Sequence, residues 1–142
     1  MVKNIFLIED DETTMLLLRK TILRYSFAEN IIELRHGRQA LDYLEQIMSG
    51  QEELAPDLIM LDLDMPVMDG WQFLDEYTRR YKHHFPHTQI CILTTSDDEE
   101  EYQRAKQYPI VTYFLKKPCF LSDLDQVKQQ VFLKLLNKNT VG

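Results

Sequence analysis

Residues 56–74 read PDLIMLDLDMPVMDGWQFL, and the order of residue types in that stretch decides the fold. Leu58 to Leu61 is an unbroken apolar run, which a strand buried on both faces requires and a half-exposed strand does not. Asp62 and Asp64 follow at once, and Pro66 and the Asp69-Gly70 pair then mark a turn. Helical spacing takes over at Phe73, Leu74 and Tyr77. The stretch is a buried strand, an acidic turn and an amphipathic helix.

Outward from there the same unit recurs. Ile5 to Ile8, Ile90 to Leu93 and Ile110 to Leu115 are short, β-branched strand candidates, and Ile31 to Leu34 is a weaker fifth. Between them Met15, Leu18, Ile22 and Tyr25, then Ala40, Leu41, Leu44 and Ile47, keep helical spacing. The last segment, Leu121 to Leu136, repeats it at Leu124, Val127, Val131 and Leu135. Five alternations of strand and helix make an α/β, doubly wound fold, a parallel sheet covered on both faces by helices. The polar connectors at 49–56 and 81–89 each hold a proline, and neither is long enough to join two domains.

Composition narrows the function. The 142 residues, 44% hydrophobic, suffice for one core and leave no room for a second domain. A net charge of −7 argues against direct DNA binding, because phosphate backbones are held by clustered Lys and Arg. The basic clusters, Arg79-Arg80-Tyr81-Lys82 and Lys116-Lys117, are short. Cys91 and Cys119 are too few for a disulfide framework and lack metal spacing, so a reducing, cytoplasmic location is expected. The amino terminus is neither a signal peptide nor a membrane span, and no stretch approaches the roughly 20 apolar residues a span needs.

Open parallel sheets bind ligands beyond the carboxyl ends of their strands. After the first strand stand Glu9, Asp10, Asp11 and Glu12; after the third, Asp62 and Asp64; after the fourth, Thr94, Thr95 and Ser96; after the fifth, Lys117. Carboxylates gathered at one edge repel unless a cation sits among them, and oxygen-only ligands select a hard ion, for which Mg²⁺ is expected. A carboxylate beside that ion can attack phosphorus to give an acyl phosphate, while a lysine and a threonine hydroxyl stabilise the transferred oxygens. Any single acid here could instead cap the following helix. Complementary chemistry on four separate strand ends favours a phosphoryl-transfer site.

IFLIEDDE, PDLIMLDLDMPVMDGWQFL, ICILTTS and FLKKP together resemble the signatures of the response-regulator receiver domain, in order and over nearly the whole chain. The third-strand block is the most specific. The resemblance implies a flavodoxin-like (βα)5 fold with strand order 2-1-3-4-5, and a single receiver domain over 1–142, its core at about 3–137, with no output domain. It makes Asp62 the phospho-acceptor, Asp10 a direct Mg²⁺ ligand, Glu9 a ligand through water, and Asp64 a ligand through its backbone carbonyl. Asp11 takes the place of Asp10 if the first strand ends one residue later. Thr94 resembles the family's switch hydroxyl, and Lys117 its lysine, followed by Pro118 in a peptide bond that is often cis in the family. Phe114 stands at the aromatic switch position, where the family often has Tyr, and Tyr113 points to the opposite face. Asp64 and Ser96 occupy positions that tune water access to the phosphoryl group. Thr95 in place of Ala, and KQYPIVTYF in place of a Gly-Ala pair before the strand, depart from the pattern.

The function implied is that of a stand-alone phosphorelay response regulator, a phospho-acceptor rather than an enzyme. It assists its own phosphorylation and dephosphorylation. Its donor is a histidine kinase or a histidine phosphotransfer protein, and its output is recognition by another protein. On phosphorylation Thr94 moves toward the new group and Phe114 fills the vacated space. One alternative is a receiver-fold module that works without phosphorylation, for which the full set Asp10, Asp62, Thr94 and Lys117 has no chemical need. Another is a haloacid-dehalogenase-type phosphatase, whose nucleophile strand comes first and whose D-x-D runs into Gly-Thr or Gly-Val. His83, His84 and His87 read as a solvated loop, Cys91 as a buried hydrophobe, and Asp97 to Glu101 as a solvated helix start. Trp71 reads as a partner contact or, as often, as a core or partly covered aromatic, of use as a fluorescent reporter.

Overall fold

The computed structural model of the chain describes residues 2–140, the side chains of Phe132 and of residues 134–140 excepted. Ten main elements alternate: β1 (Val2–Ile8), α1 (Glu12–Arg24), β2 (Ala28–Leu34), α2 (Gly37–Met48), β3 (Leu58–Asp62), α3 (Gly70–Arg80), β4 (Gln89–Thr94), α4 (Glu99–Ala105), β5 (Val111–Lys116) and α5 (Leu121–Thr140). The strands form one sheet in the order β2-β1-β3-β4-β5, and every neighbouring pair is parallel. The doubly wound fold with that order is what the sequence implies. Each strand extends a little beyond its apolar run, except that β5 begins at Val111, one residue later than expected.

Side chains leave a strand alternately on opposite faces, and the core divides accordingly. Phe6 and Ile8 of β1, Ile59 and Leu61 of β3, and Ile90 and Ile92 of β4 pack with Ala40, Leu41, Leu44 and Ile47 of α2 and Phe73, Leu74 and Tyr77 of α3. On the other face Ile5, Leu7, Leu58, Met60, Cys91 and Leu93 meet Met15, Leu18 and Ile22 of α1 and Leu124, Val127 and Val131 of α5. Each such large side chain is worth about 1.5–3 kcal/mol when fully buried, so the two layers hold the sheet from both sides. Tyr25 departs from the expected stripe: it is the C-cap of α1 and lies exposed. The expected repeat at Leu135 and the chain end at Gly142 lie outside the described side chains and residues.

The turn after β3 explains the Asp69-Gly70 pair. Asp69 caps α3 by accepting from the Gln72 N–H at 2.8 Å, and the Gln72 side chain accepts from the Asp69 N–H at 2.9 Å. Gly70 follows because a Cβ there would stand 2.7 Å from the Asp62 carbonyl oxygen and 2.8 Å from Leu63 Cα. The first residue of α3 therefore rests directly on the end of β3. Among the described residues no helix is long and apolar enough to cross a membrane.

Candidate functional site

The chain leaves β1 toward β2 on one side and returns through β3 on the other, so the carboxyl ends of β1 and β3 flank the crevice where such sheets bind ligands. Register fixes what meets there. Ile8 pairs with Leu61, so Glu9 and Asp62 emerge side by side; Asp62 pairs with Leu93, and Thr94 with Lys116, which brings in the ends of β4 and β5.

Glu9, Asp10 and Asp62 each offer an oxygen within 4.8 Å of the others, the one such acidic cluster among the described residues. Glu9 and Asp62 are buried and Asp10 is exposed. Lys117 donates from Nζ to Glu9 Oε1 at 2.8 Å and to Asp62 Oδ1 at 3.1 Å, so one ammonium bridges two buried carboxylates. The Lys117-Pro118 peptide bond is cis, and the Lys117 N–H donates to the Thr94 carbonyl at 2.8 Å, which ties the lysine to the end of β4.

Burial pushes the Glu9 carboxyl up to about 8, with Asp62 adding to the rise and Lys117 opposing it. For Lys117 burial works downward, but the hydrogen bond to Glu9 and the Asp62 charge outweigh it and hold the ammonium above the usual lysine value. One lysine thus does not neutralise the cluster. The remaining Glu9 oxygen, Oε2, is buried without a hydrogen-bond partner, and an unpaired buried carboxylate oxygen is costly. An all-oxygen donor set with an orphaned buried oxygen fits a hard divalent cation.

Asp10 and Asp11 differ in what their carboxylates touch. Asp11 is the N-cap of α1, its Oδ2 accepting from Thr14 N–H at 2.8 Å and from Thr14 Oγ1 at 2.7 Å. Those bonds hold its carboxyl below the usual range and commit it to the helix, whereas Asp10 joins Glu9 and Asp62. Asp64 is exposed and directs its N–H at Asp62 Oδ1 from 3.4 Å. Thr94 is buried at the end of β4, its hydroxyl accepting from the Ser96 N–H at 3.1 Å. Phe114 lies in mid-β5, its ring edge-on to Tyr102 of α4 at 5.4 Å, and Tyr113 packs on the opposite layer, as expected.

Outside this cluster, His84 Nε2 meets Glu52 Oε1 at 2.7 Å, a partner remote in sequence. Asp97, expected in the start of the fourth helix, precedes the Asp98 cap and pairs with Lys116. The sequence carried no signal for the packing of Arg104 and Tyr108 on Trp71, because Trp71 lies in a separate segment that only the fold brings to the other two.

The chain matches the response regulator receiver domain over residues 5–129. It is 30% identical over 127 residues to the probable methanogenesis regulatory protein FilR2 of Methanothrix harundinacea, spanning 89% of this chain and 79% of that protein. A two component response regulator from Cytophaga hutchinsonii superposes with a TM-score of 0.85, covering 92% of this chain and 97% of its own, and at 23% identity it speaks for the fold alone. The Mn(2+)-bound form of response regulator Rcp1, from Synechocystis, superposes with a TM-score of 0.69 at 29% identity, covering 91% of each chain.

Proposed function

This chain belongs to the response regulator receiver domain family, and from that premise we propose that it accepts a phosphoryl group on Asp62 and thereby switches a protein-interaction surface. The observation that carries the reading is the convergence of Asp62, Glu9, Asp10 and Lys117, from three strand ends, within hydrogen-bonding or ligand distance. The donor is a histidine kinase or histidine phosphotransfer protein. The protein acts as a phospho-acceptor in the cytoplasm. Its own residues assist both the gain and the loss of the phosphoryl group.

In the transfer an Asp62 carboxylate oxygen forms a bond to phosphorus, the phosphorus–nitrogen bond of the donor phosphohistidine breaks, and the imidazole leaves with the electron pair and takes up a proton. Lys117, already placed at Asp62 Oδ1, neutralises charge on the transferred oxygens. Asp10 and Glu9, with Asp62 and the Asp64 carbonyl, would hold Mg²⁺, Glu9 through a water. When bound, the ion draws charge from the phosphoryl oxygens and relieves repulsion among the carboxylates. Thr94 then turns its hydroxyl from Ser96 to the new group, and Phe114 follows into the space it leaves. Asp64 and Ser96 set the lifetime by controlling water at the acyl phosphate.

Borohydride reduction of the phosphorylated protein tests the acceptor. An acyl phosphate at Asp62 is converted to homoserine, so peptide mass mapping is expected to find the change at position 62 alone. Modification at Asp10, Asp11 or Asp64 instead would contradict the assignment.

A further inference from the structure

α4 is short and mostly exposed. It has seven residues and buries only Ala105 among them. One Glu101 side-chain oxygen is buried there without a hydrogen-bond partner, so the docked position carries a polar cost. Besides Ala105 in the core, α4 makes an aromatic contact on each of its two flanks. Toward β5 the Tyr102 ring meets Phe114. Toward α3 the Arg104 guanidinium lies over the Trp71 ring, 4.2 Å from its centroid. Just beyond the helix, Tyr108 stacks on the same indole, 6.1 Å between centroids, and donates its hydroxyl to Asp75 Oδ1 of α3 at 2.5 Å.

Trp71 is also next to the acceptor strand. It follows Gly70, which abuts the Asp62 carbonyl so closely that no Cβ fits. A shift at the end of β3 must therefore move the head of α3, and with it the indole to which α4 is attached.

We propose that Arg104, stacked on Trp71, is a positioning residue that clamps α4 to the head of α3 and carries the state of Asp62 to α4 by a route separate from Thr94 and Phe114. The coupling half of this inference rests on Asp62 being the phospho-acceptor; the clamp itself does not. A guanidinium over an indole face is attracted by the ring even at an exposed site such as Arg104, and so short a helix has few other anchors. Charge alone does not reproduce a planar stack, so lysine at position 104 should not substitute fully.

Trp71 is the sole tryptophan of the chain, so its emission reports this contact directly. The experiment compares wild type, Arg104→Ala and Arg104→Lys by hydrogen exchange of the α4 amides, and by Trp71 emission before and after acetyl phosphate with Mg²⁺, with adduct occupancy measured by intact mass. Arg104→Ala is expected to speed α4 exchange about fivefold, the loss of roughly 1 kcal/mol of local stability, with Arg104→Lys between it and wild type. The emission change on phosphorylation is expected in wild type and much smaller in Arg104→Ala at equal occupancy. Unchanged α4 exchange in Arg104→Ala would overturn the clamp. An emission response equal in the two proteins, or absent from fully phosphorylated wild type, would overturn the coupling. No adduct on wild type would instead contradict the acceptor reading, and the exchange comparison would still decide the clamp.

Discussion

At the scale of single residues, the site is built against the stability of the fold. Asp62 is buried with an oxygen within 4.8 Å of one of Asp10, and Lys117 is the cation that touches it; like charges at such a distance repel by about 1 kcal/mol in a screened setting. Asp62→Asn keeps an acceptor for Lys117 while removing one of the charges. In the metal-free protein it is expected to raise the unfolding free energy by about 1 kcal/mol in urea titration, and a loss of stability would contradict this view of the cluster. A second local cost lies in the turn between β3 and α3. Val67 is 78% exposed and holds a φ of 68°, where a β-branched side chain is strained. Asn tolerates that region, so Val67→Asn is expected to stabilise by about 1 kcal/mol, read from the same titration. A shift of the midpoint to lower urea would show that the turn is not strained.

At the scale of elements, the junction of β3 and α3 positions Asp62, and Gly70 makes it possible. Gly70→Ala places a Cβ against backbone rather than a flexible side chain, so neighbouring structure must move, at a cost of about 2 kcal/mol in chemical denaturation. Wild-type stability in that variant would mean that the close approach is not obligatory. The same junction shows what the sequence can convey. The run from Leu58 to Leu61 was legible because a strand covered on both faces must be continuously apolar, and the Asp69-Gly70 turn because capping and close approach each demand one residue type. β2 was faint because its middle residues are only partly buried at the edge of the sheet. Tyr25 was misplaced because helical spacing does not reveal where α1 ends. The contact of Arg104 with Trp71 left no trace, since neither residue has an unusual neighbour in its own segment.

At the scale of the whole molecule, the sheet order brings four strand ends together, which is why acids and a lysine spread from Glu9 to Lys117 could be recognised as one site. Residue type alone did not distinguish Asp10 from Asp11; the side-chain capping of α1 by Asp11 does. The raised Glu9 carboxyl gives the assembled site a pH signature. The folded protein holds the Glu9 proton up to about 8, while the unfolded chain releases it near 4.5. The stability from this group is therefore full below the unfolded value and is lost as pH rises through the folded one. Metal-free protein is expected to lose stability between those limits, and Mg²⁺ to bind more tightly as pH rises because its binding releases protons. Thermal unfolding with and without Mg²⁺ across that range checks both, and a flat metal-free profile would contradict the assignment. The most direct test of the central claim is intact-mass spectrometry after incubation with acetyl phosphate, with Mg²⁺ or with a chelator, on wild type and Asp62→Asn. One labile phosphoryl adduct that requires Mg²⁺ and vanishes in Asp62→Asn is the expected result; an unmodified wild-type mass, or an adduct that survives in Asp62→Asn, would contradict it.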